Sequence, residues 1–111
     1  MSDVRENIRD FKRAKKALME NNEHAMGEFS DFMDEVLEEK HLDVKTKELI
    51  ALTTGITARC KYCIDIHTEK ALKAGATKEE ILEAAFVAIM MGGGPAMTYV
   101  AELKKALDEF E

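Results

Sequence analysis

The chain has 111 residues and a formal net charge of −6, and only 6% of its residues are aromatic. This length allows one domain with a thin core. Nucleic acid is not expected as a partner, because phosphate binding requires a concentrated positive surface. The first residues carry no secretory apolar run, and the remaining apolar runs are too short and interrupted to predict a membrane span. We therefore expect a cytoplasmic protein that does not enter a membrane.

Apolar residues recur at every third or fourth position through the first half of the chain, which is the spacing of amphipathic helices. A first helix is predicted over residues 4–19 and a second over residues 22–40. Asp43 is the predicted N-cap of a third helix. Gly55 and the threonines around it are expected to weaken the end of that helix.

Helical signals continue in the second half of the chain. A fourth helix is predicted over residues 60–74, with Gly75 as its C′ residue. Thr77 and Glu80 form a capping box that opens a fifth helix. That helix is apolar around most of its circumference, so it should be buried. In so small a chain, this burial predicts contact with another subunit.

Residues 92–95 are three glycines followed by a proline. A helix junction or a tight backbone contact is favoured there over a phosphate-binding loop, because no strand precedes the glycines. A sixth helix should follow and end near Phe110. The predicted fold class is all-α: one helical-bundle domain of about six helices over residues 1–111, assembling as an oligomer.

Two cysteines and a histidine carry the clearest chemical signal. Cys60, Cys63 and His67 stand at positions i, i+3 and i+7, which share one face of a helix. Cys60 falls at the helix start, where free N–H groups favour a thiolate. Glu48 lies in an apolar stripe of the preceding helix, and a buried carboxylate needs a partner. A relay of Glu48, His67 and the dithiol is therefore predicted.

Two other interpretations of the cysteine pair remain open. Buried cysteines often act as small hydrophobic residues. Alternatively, Cys60, Cys63 and His67 supply three zinc ligands, with His24 or His41 as loose candidates for a fourth. Both of these histidines lie in polar surroundings and are interpreted as surface residues. The redox interpretation is preferred, with no metal and no cofactor.

Four segments of the chain resemble the carboxymuconolactone decarboxylase superfamily, and more narrowly its AhpD-like (alkylhydroperoxidase D) branch. They are residues 47–52, 60–67, 71–81 and 91–96. The similarity runs over residues 43–96, and the spacing E-x11-C-x2-C-x3-H is its most specific part. The rest of the N-terminal region matches only in being helical.

The resemblance implies an all-helical protomer that forms dimers and often trimers of dimers, with a peroxide- or disulfide-reducing activity. It also implies that Cys63 is oxidised to a sulfenic acid and that Cys60 is its proton donor and resolving partner. Glu48 and His67 would form the proton relay. The AhpD pattern has a second histidine where this chain has Tyr62, which implies a shorter relay.

The predicted reaction is attack of a thiolate on a peroxide or a substrate disulfide, followed by reduction by an external dithiol donor of the thioredoxin or lipoyl type. Two alternatives remain: a non-enzymatic oligomeric module that senses redox state, and a decarboxylase-type lyase that uses His67 and Glu48. Lys61, Asp65 and Tyr99 are expected to have ordinary surface roles.

Overall fold

The computed structural model describes residues 3–111 as five α-helices with short connections and no β-strand within that range. The all-α class predicted from the sequence is confirmed. Met1 and Ser2, which belong to the predicted domain, lie outside the described residues. The helices are α1 (Asp3–Asn21), α2 (Glu23–Leu37), α3 (Val44–Thr57), α4 (Lys61–Lys73) and α5 (Lys78–Phe110).

Side-chain caps fix the starts of several helices, as predicted. The Asp43 carboxylate accepts a hydrogen bond from the Thr46 N–H at the start of α3. Thr77 and Glu80 form the capping box of α5, in which each side chain accepts from the backbone N–H of the other residue. These bonds satisfy N–H groups that have no partner inside a helix.

The predicted fifth and sixth helices are the two segments of α5. The backbone between them leaves the helical conformation at Gly93, where φ is 68° and ψ is −153°. Pro95 then falls in the first turn of the second segment, where its missing N–H costs no hydrogen bond. A side chain at Gly92 would lie 2.7 Å from the Ala96 Cβ and 3.3 Å from Thr57 of α3. The glycine stretch is therefore both a junction and a close contact.

Helices α3, α4 and α5 pack around the main core, which positions the site described below. Burying one such aliphatic side chain contributes about 1.5–3 kcal/mol. Helix α1 adds a smaller cluster against the end of α5. The largest apolar side chains that are almost completely buried are Val4, Leu52, Ile56, Ile64, Ile81 and Leu103.

Two apolar faces remain open to solvent in the single chain. Helix α2 buries no residue, and Phe29 and Phe32 are 54% and 62% exposed. On α5, Phe86 is 72% exposed and Met90 is 73% exposed. Within one chain, α5 is therefore buried only on the faces that meet the main core and α1, and the contact with another subunit that the sequence predicts for it stays a prediction.

Helix α5 also corrects the expectation that every apolar run is too short for a membrane. By length and composition alone it could cross one, and only 22% of its apolar window is buried within the chain. Core helices of soluble proteins satisfy the same criterion. The buried face of α5 belongs to the main core, and its backbone breaks at Gly93.

Candidate active site

A tight turn between α3 and α4 positions the first cysteine. The Arg59 N–H donates to the Ile56 carbonyl at 3.1 Å, and the Cys60 N–H donates to the Gly55 carbonyl at 2.9 Å. This pair of bonds is the Schellman arrangement that closes a helix. Cys60 is also the N-cap of α4, because its Sγ accepts from the Cys63 N–H at 3.2 Å. One residue thus ends α3 and begins α4.

Cys60 and Cys63 form a disulfide across the first turn of α4, with their Cα atoms 5.3 Å apart. Both residues are half-buried, whereas Lys61 and Tyr62 between them are exposed. The two cysteines proposed from the sequence are therefore joined at the surface end of a helix. This disulfide is the oxidised form of a dithiol, and an external thiol can reduce it.

Glu48 and His67 form a buried pair that links α3 to α4. His67 Nδ1 donates to Glu48 Oε1 at 2.6 Å, and the two side chains are 18% and 5% exposed. Because an ionised carboxylate only accepts, the proton lies on Nδ1 and leaves Nε2 to accept or release another. His67 lies one helical turn after Cys63. The hydrogen bond with Glu48 fixes the orientation of its ring. The catalytic roles of the pair stay predictions.

Gly55 allows α3 and α4 to approach at the second cysteine. A Cβ built on Gly55 would lie 2.9 Å from the Cys63 Cβ. Gly55 is buried inside α3, which continues to Thr57. The weakening of the helix end stays a prediction, and the close packing against Cys63 is a second role of Gly55 that was not predicted from the sequence. Its signal in the sequence was a glycine within a helical pattern, which often marks close packing.

Asp65 is a buried carboxyl group, which corrects its expected surface role. Asn7 of α1 donates to its Oδ2 at 2.9 Å, while its Oδ1 has no hydrogen-bond donor among residues 3–111. Burial raises the pKa of Asp65 to about 7; the Asn7 bond opposes this rise, and the facing Glu102 adds to it. Glu102 Oε2 is likewise buried without a donor. One proton shared between the two carboxyl groups would satisfy both oxygens.

The zinc interpretation requires a cluster of metal-binding side chains. Within residues 3–111, no three His, Cys, Asp or Glu side chains are grouped as a metal ion requires. His24 lies near the start of α2 and His41 in the connection before α3, and both are exposed. Neither histidine joins the cysteines.

The fold and the site together define a small all-helical protein with a disulfide at a helix start and a Glu–His pair beside it. Residues 23–106 match the model of the carboxymuconolactone decarboxylase family. A protein of uncharacterized function from Cupriavidus necator is 32% identical over 110 residues, covering 99% of this chain and 95% of that protein. The chain belongs to the carboxymuconolactone decarboxylase family.

Solved structures show the same fold. An apo protein of this family from Legionella pneumophila is 33% identical, with a TM-score of 0.94, and the match covers 99% of this chain and 98% of that one. A family member from Thermotoga maritima, with a suggested involvement in the antioxidative response, is 28% identical with a TM-score of 0.83. That match covers 92% of this chain and 87% of the other.

Proposed function

We propose that this protein is an AhpD-like thiol-dependent peroxidase and disulfide reductase. The observation that carries the proposal is the Cys60–Cys63 disulfide at the start of α4, with the buried Glu48–His67 pair on the same two helices. A disulfide between residues three apart at a helix start can open and close without unfolding the helix. The family and the antioxidative involvement suggested for the Thermotoga relative agree with this chemistry.

The peroxidase reaction moves two electrons from the dithiol to the peroxide. The Cys63 thiolate attacks one peroxide oxygen, the O–O bond breaks, and an alcohol leaves as Cys63 becomes a sulfenic acid. Cys60 then attacks the Cys63 sulfur, forms the disulfide and releases water. In the reductase reaction, a thiolate attacks a substrate disulfide and the second cysteine resolves the mixed disulfide.

His67 and Glu48 handle protons in this scheme. His67 Nε2 takes the thiol proton that must leave before attack and returns it to the departing oxygen or sulfur. Glu48 holds the Nδ1 proton and stabilises the imidazolium that forms. Tyr62 stands where the full AhpD pattern has a second histidine, so the proposed relay contains one histidine, His67, together with Glu48.

The cycle requires an external reductant, for which a protein dithiol of the thioredoxin or lipoyl type is proposed. Both electrons pass through the two sulfurs, so the scheme calls for no organic cofactor and no metal. The proposed setting is the cytoplasm, where such dithiols keep thiols reduced.

We also propose that the protein works as a homo-oligomer, a dimer or a trimer of dimers. The support is the exposed apolar surface of α2 and α5, where Phe32, Phe86 and Met90 are each more than 60% exposed. Contiguous exposed apolar patches on soluble proteins mark interaction surfaces. A second copy carrying the same faces can bury them symmetrically.

A thiol titration followed by mass spectrometry tests the proposal. The reduced protein should consume hydroperoxide or a small disulfide, lose two thiols and gain the Cys60–Cys63 bond, and turn over when a dithiol donor is added. Cys63→Ser should abolish turnover, and equal activity in this variant and the wild type would refute the proposal. Disulfide formation without turnover would indicate the redox-sensing module instead. Lyase activity that survives loss of both cysteines would indicate the decarboxylase-type alternative.

A further inference from the structure

Arg59, the residue before the disulfide, has an unusual backbone conformation. It is the only non-glycine residue within 3–111 with a positive φ, which is 57°. In this left-handed conformation an L side chain crowds its own backbone. Glycine is the usual residue at this position of a helix C-terminus. Arg59 therefore occupies a position at which the backbone conformation alone would favour glycine.

The end of α4 provides a direct comparison within the same chain. There the Gly75 N–H donates to the Leu72 carbonyl at 3.1 Å, and the Ala76 N–H donates to the Ala71 carbonyl at 2.9 Å. These are the same two bonds that close α3, and Gly75 has a φ of 98°. The chain thus builds one turn twice, with glycine away from the disulfide and with arginine beside it. The hydrogen bonds of the turn do not explain the arginine.

Cys60 lies between two cationic residues in the chain. Arg59 and Lys61 flank it, both are exposed, and within residues 3–111 neither forms an ion pair with a carboxylate. The Lys61 ammonium lies 5.3 Å from the centre of the Tyr62 ring, and its charge favours ionisation of the buried Asp65. The N-terminal end of α4 adds partial positive charge. This local field contrasts with the net charge of −6 of the whole chain.

We propose that Arg59 and Lys61 make the dithiol selective for anionic small-molecule disulfides, which carry a carboxylate close to the sulfur–sulfur bond. The inference rests on the proposed thiol–disulfide exchange and names its substrate class. The reduced protein gives two electrons and two protons, the substrate disulfide leaves as two thiols, and the Cys60–Cys63 bond forms. The cations attract the substrate and stabilise the negative charge on the departing thiolate.

Three aliphatic disulfides test the selectivity: dithiodipropionate is anionic, 2-hydroxyethyl disulfide is neutral and cystamine is cationic. Each rate with the reduced protein is divided by the rate with dithiothreitol, which removes the intrinsic reactivity of the substrate. A unit charge ~6 Å from a reacting centre in water changes a rate by about threefold. We expect the normalised anionic rate to exceed the neutral rate by about tenfold at low salt, since two such charges act together, and the cationic rate to fall below the neutral rate. The preference should shrink in 1 M salt.

Variants assign the selectivity to the two cations. Arg59→Gln and Lys61→Gln should each reduce the anionic preference about threefold, and Arg59→Lys should retain it. Lys70→Gln, which removes an exposed cation from the other end of α4, should leave it unchanged. Arg59→Gly should reduce the preference as much as Arg59→Gln does and yet unfold at a higher denaturant concentration than the wild type, because it relieves the backbone. A purely structural arginine would not give these opposite effects.

Alkylation gives a readout that does not depend on turnover. The rate of alkylation by iodoacetate, an anion, divided by the rate with neutral iodoacetamide should be higher for the reduced cysteines of this protein than for free cysteine. Arg59→Gln should lower this ratio. If the reduced protein neither consumes hydroperoxide nor exchanges with any of the three disulfides, the proposed function fails. If it consumes hydroperoxide but exchanges with none of them, the selectivity for anionic disulfides is refuted. If it exchanges with all three at normalised rates that Arg59→Gln and Lys61→Gln do not alter, the proposed function stands and the charge selectivity is refuted.

Discussion

Gly55 of α3 lies directly against Cys63 of α4, so close that a methyl group on Gly55 would come within 2.9 Å of the Cys63 Cβ. Neither atom is the end of a flexible side chain, so the helices themselves would have to move. We expect Gly55→Ala to lower the free energy of unfolding by about 1–2 kcal/mol, because overpacking outweighs the gain in helix propensity. Reoxidation of the reduced variant should also be slower. Chemical denaturation and a thiol assay measure the two effects.

Gly27→Ala is the matched control. Gly27 lies inside α2, and a Cβ there would meet nothing within 4 Å. That substitution should stabilise the protein by about 0.5–1 kcal/mol through helix propensity alone. Equal stabilisation by both alanine variants would show that the helix crossing does not depend on Gly55.

The bond between His67 and Glu48 leads to a prediction about pH. Glu48→Gln keeps an acceptor for the His67 N–H but removes the negative charge that stabilises the imidazolium. We expect the pH of half-maximal alkylation at Cys63 to rise and peroxide reduction at neutral pH to slow by about tenfold or more. A pH series of iodoacetamide labelling, read by mass spectrometry, measures the first effect.

Glu83→Gln provides the control for this prediction, since Glu83 is an exposed carboxylate on α5. Its labelling profile should match that of the wild type. If Glu48→Gln shows the same profile as well, the buried pair takes no part in forming the thiolate.

The sequence predicted what depends on local chemistry, and also the contact of Glu48 with His67, but missed most of what depends on packing between helices. The N-cap at Asp43 and the Cys60–Cys63 pair at the start of α4 were predicted from residues a few positions apart, and the structure contains both. The packing role of Gly55 was not predicted and the burial of Asp65 was misjudged, because their surroundings come from other helices. Periodicity predicted that the apolar helix around Phe86 needs a partner, but it does not show which faces of the helix meet the rest of the chain and which stay exposed.

Asp65 predicts a pH dependence of stability. Burial raises its pKa from 3.8 to about 7, so between these values the folded protein holds a proton that the unfolded chain has released. The stabilising contribution is therefore complete below the unfolded pKa and is lost as the pH rises through about 7. The slope is at most ~1.4 kcal/mol per pH unit. Urea denaturation at several pH values between 5 and 8 measures it.

Asp65→Asn removes the titration while keeping the shape. The new amide can accept from Asn7 and donate to Glu102, so we expect the variant to be more stable than the wild type at pH 8 and the difference to shrink toward pH 5. Glu102→Gln should weaken the pH dependence, because it removes the second carboxyl group that raises the pKa of Asp65. A constant stability difference between Asp65→Asn and the wild type across this range would contradict the buried proton. The comparison also cancels the contributions of the histidines, which both proteins share.

The apolar surface of α5 predicts the state of assembly. Phe86 and Met90 are 72% and 73% exposed in the single chain, one helical turn apart. Burying such side chains in an interface contributes about 1.5–3 kcal/mol each, so we expect the wild type to elute as a homo-oligomer in size-exclusion chromatography with light scattering. Phe86→Asp should shift the mass toward smaller species while the helix content measured by circular dichroism stays the same. Lys105→Glu, an exposed charge change near the other end of α5, should leave the mass unchanged. A wild-type protein that stays monomeric would contradict the proposed homo-oligomer.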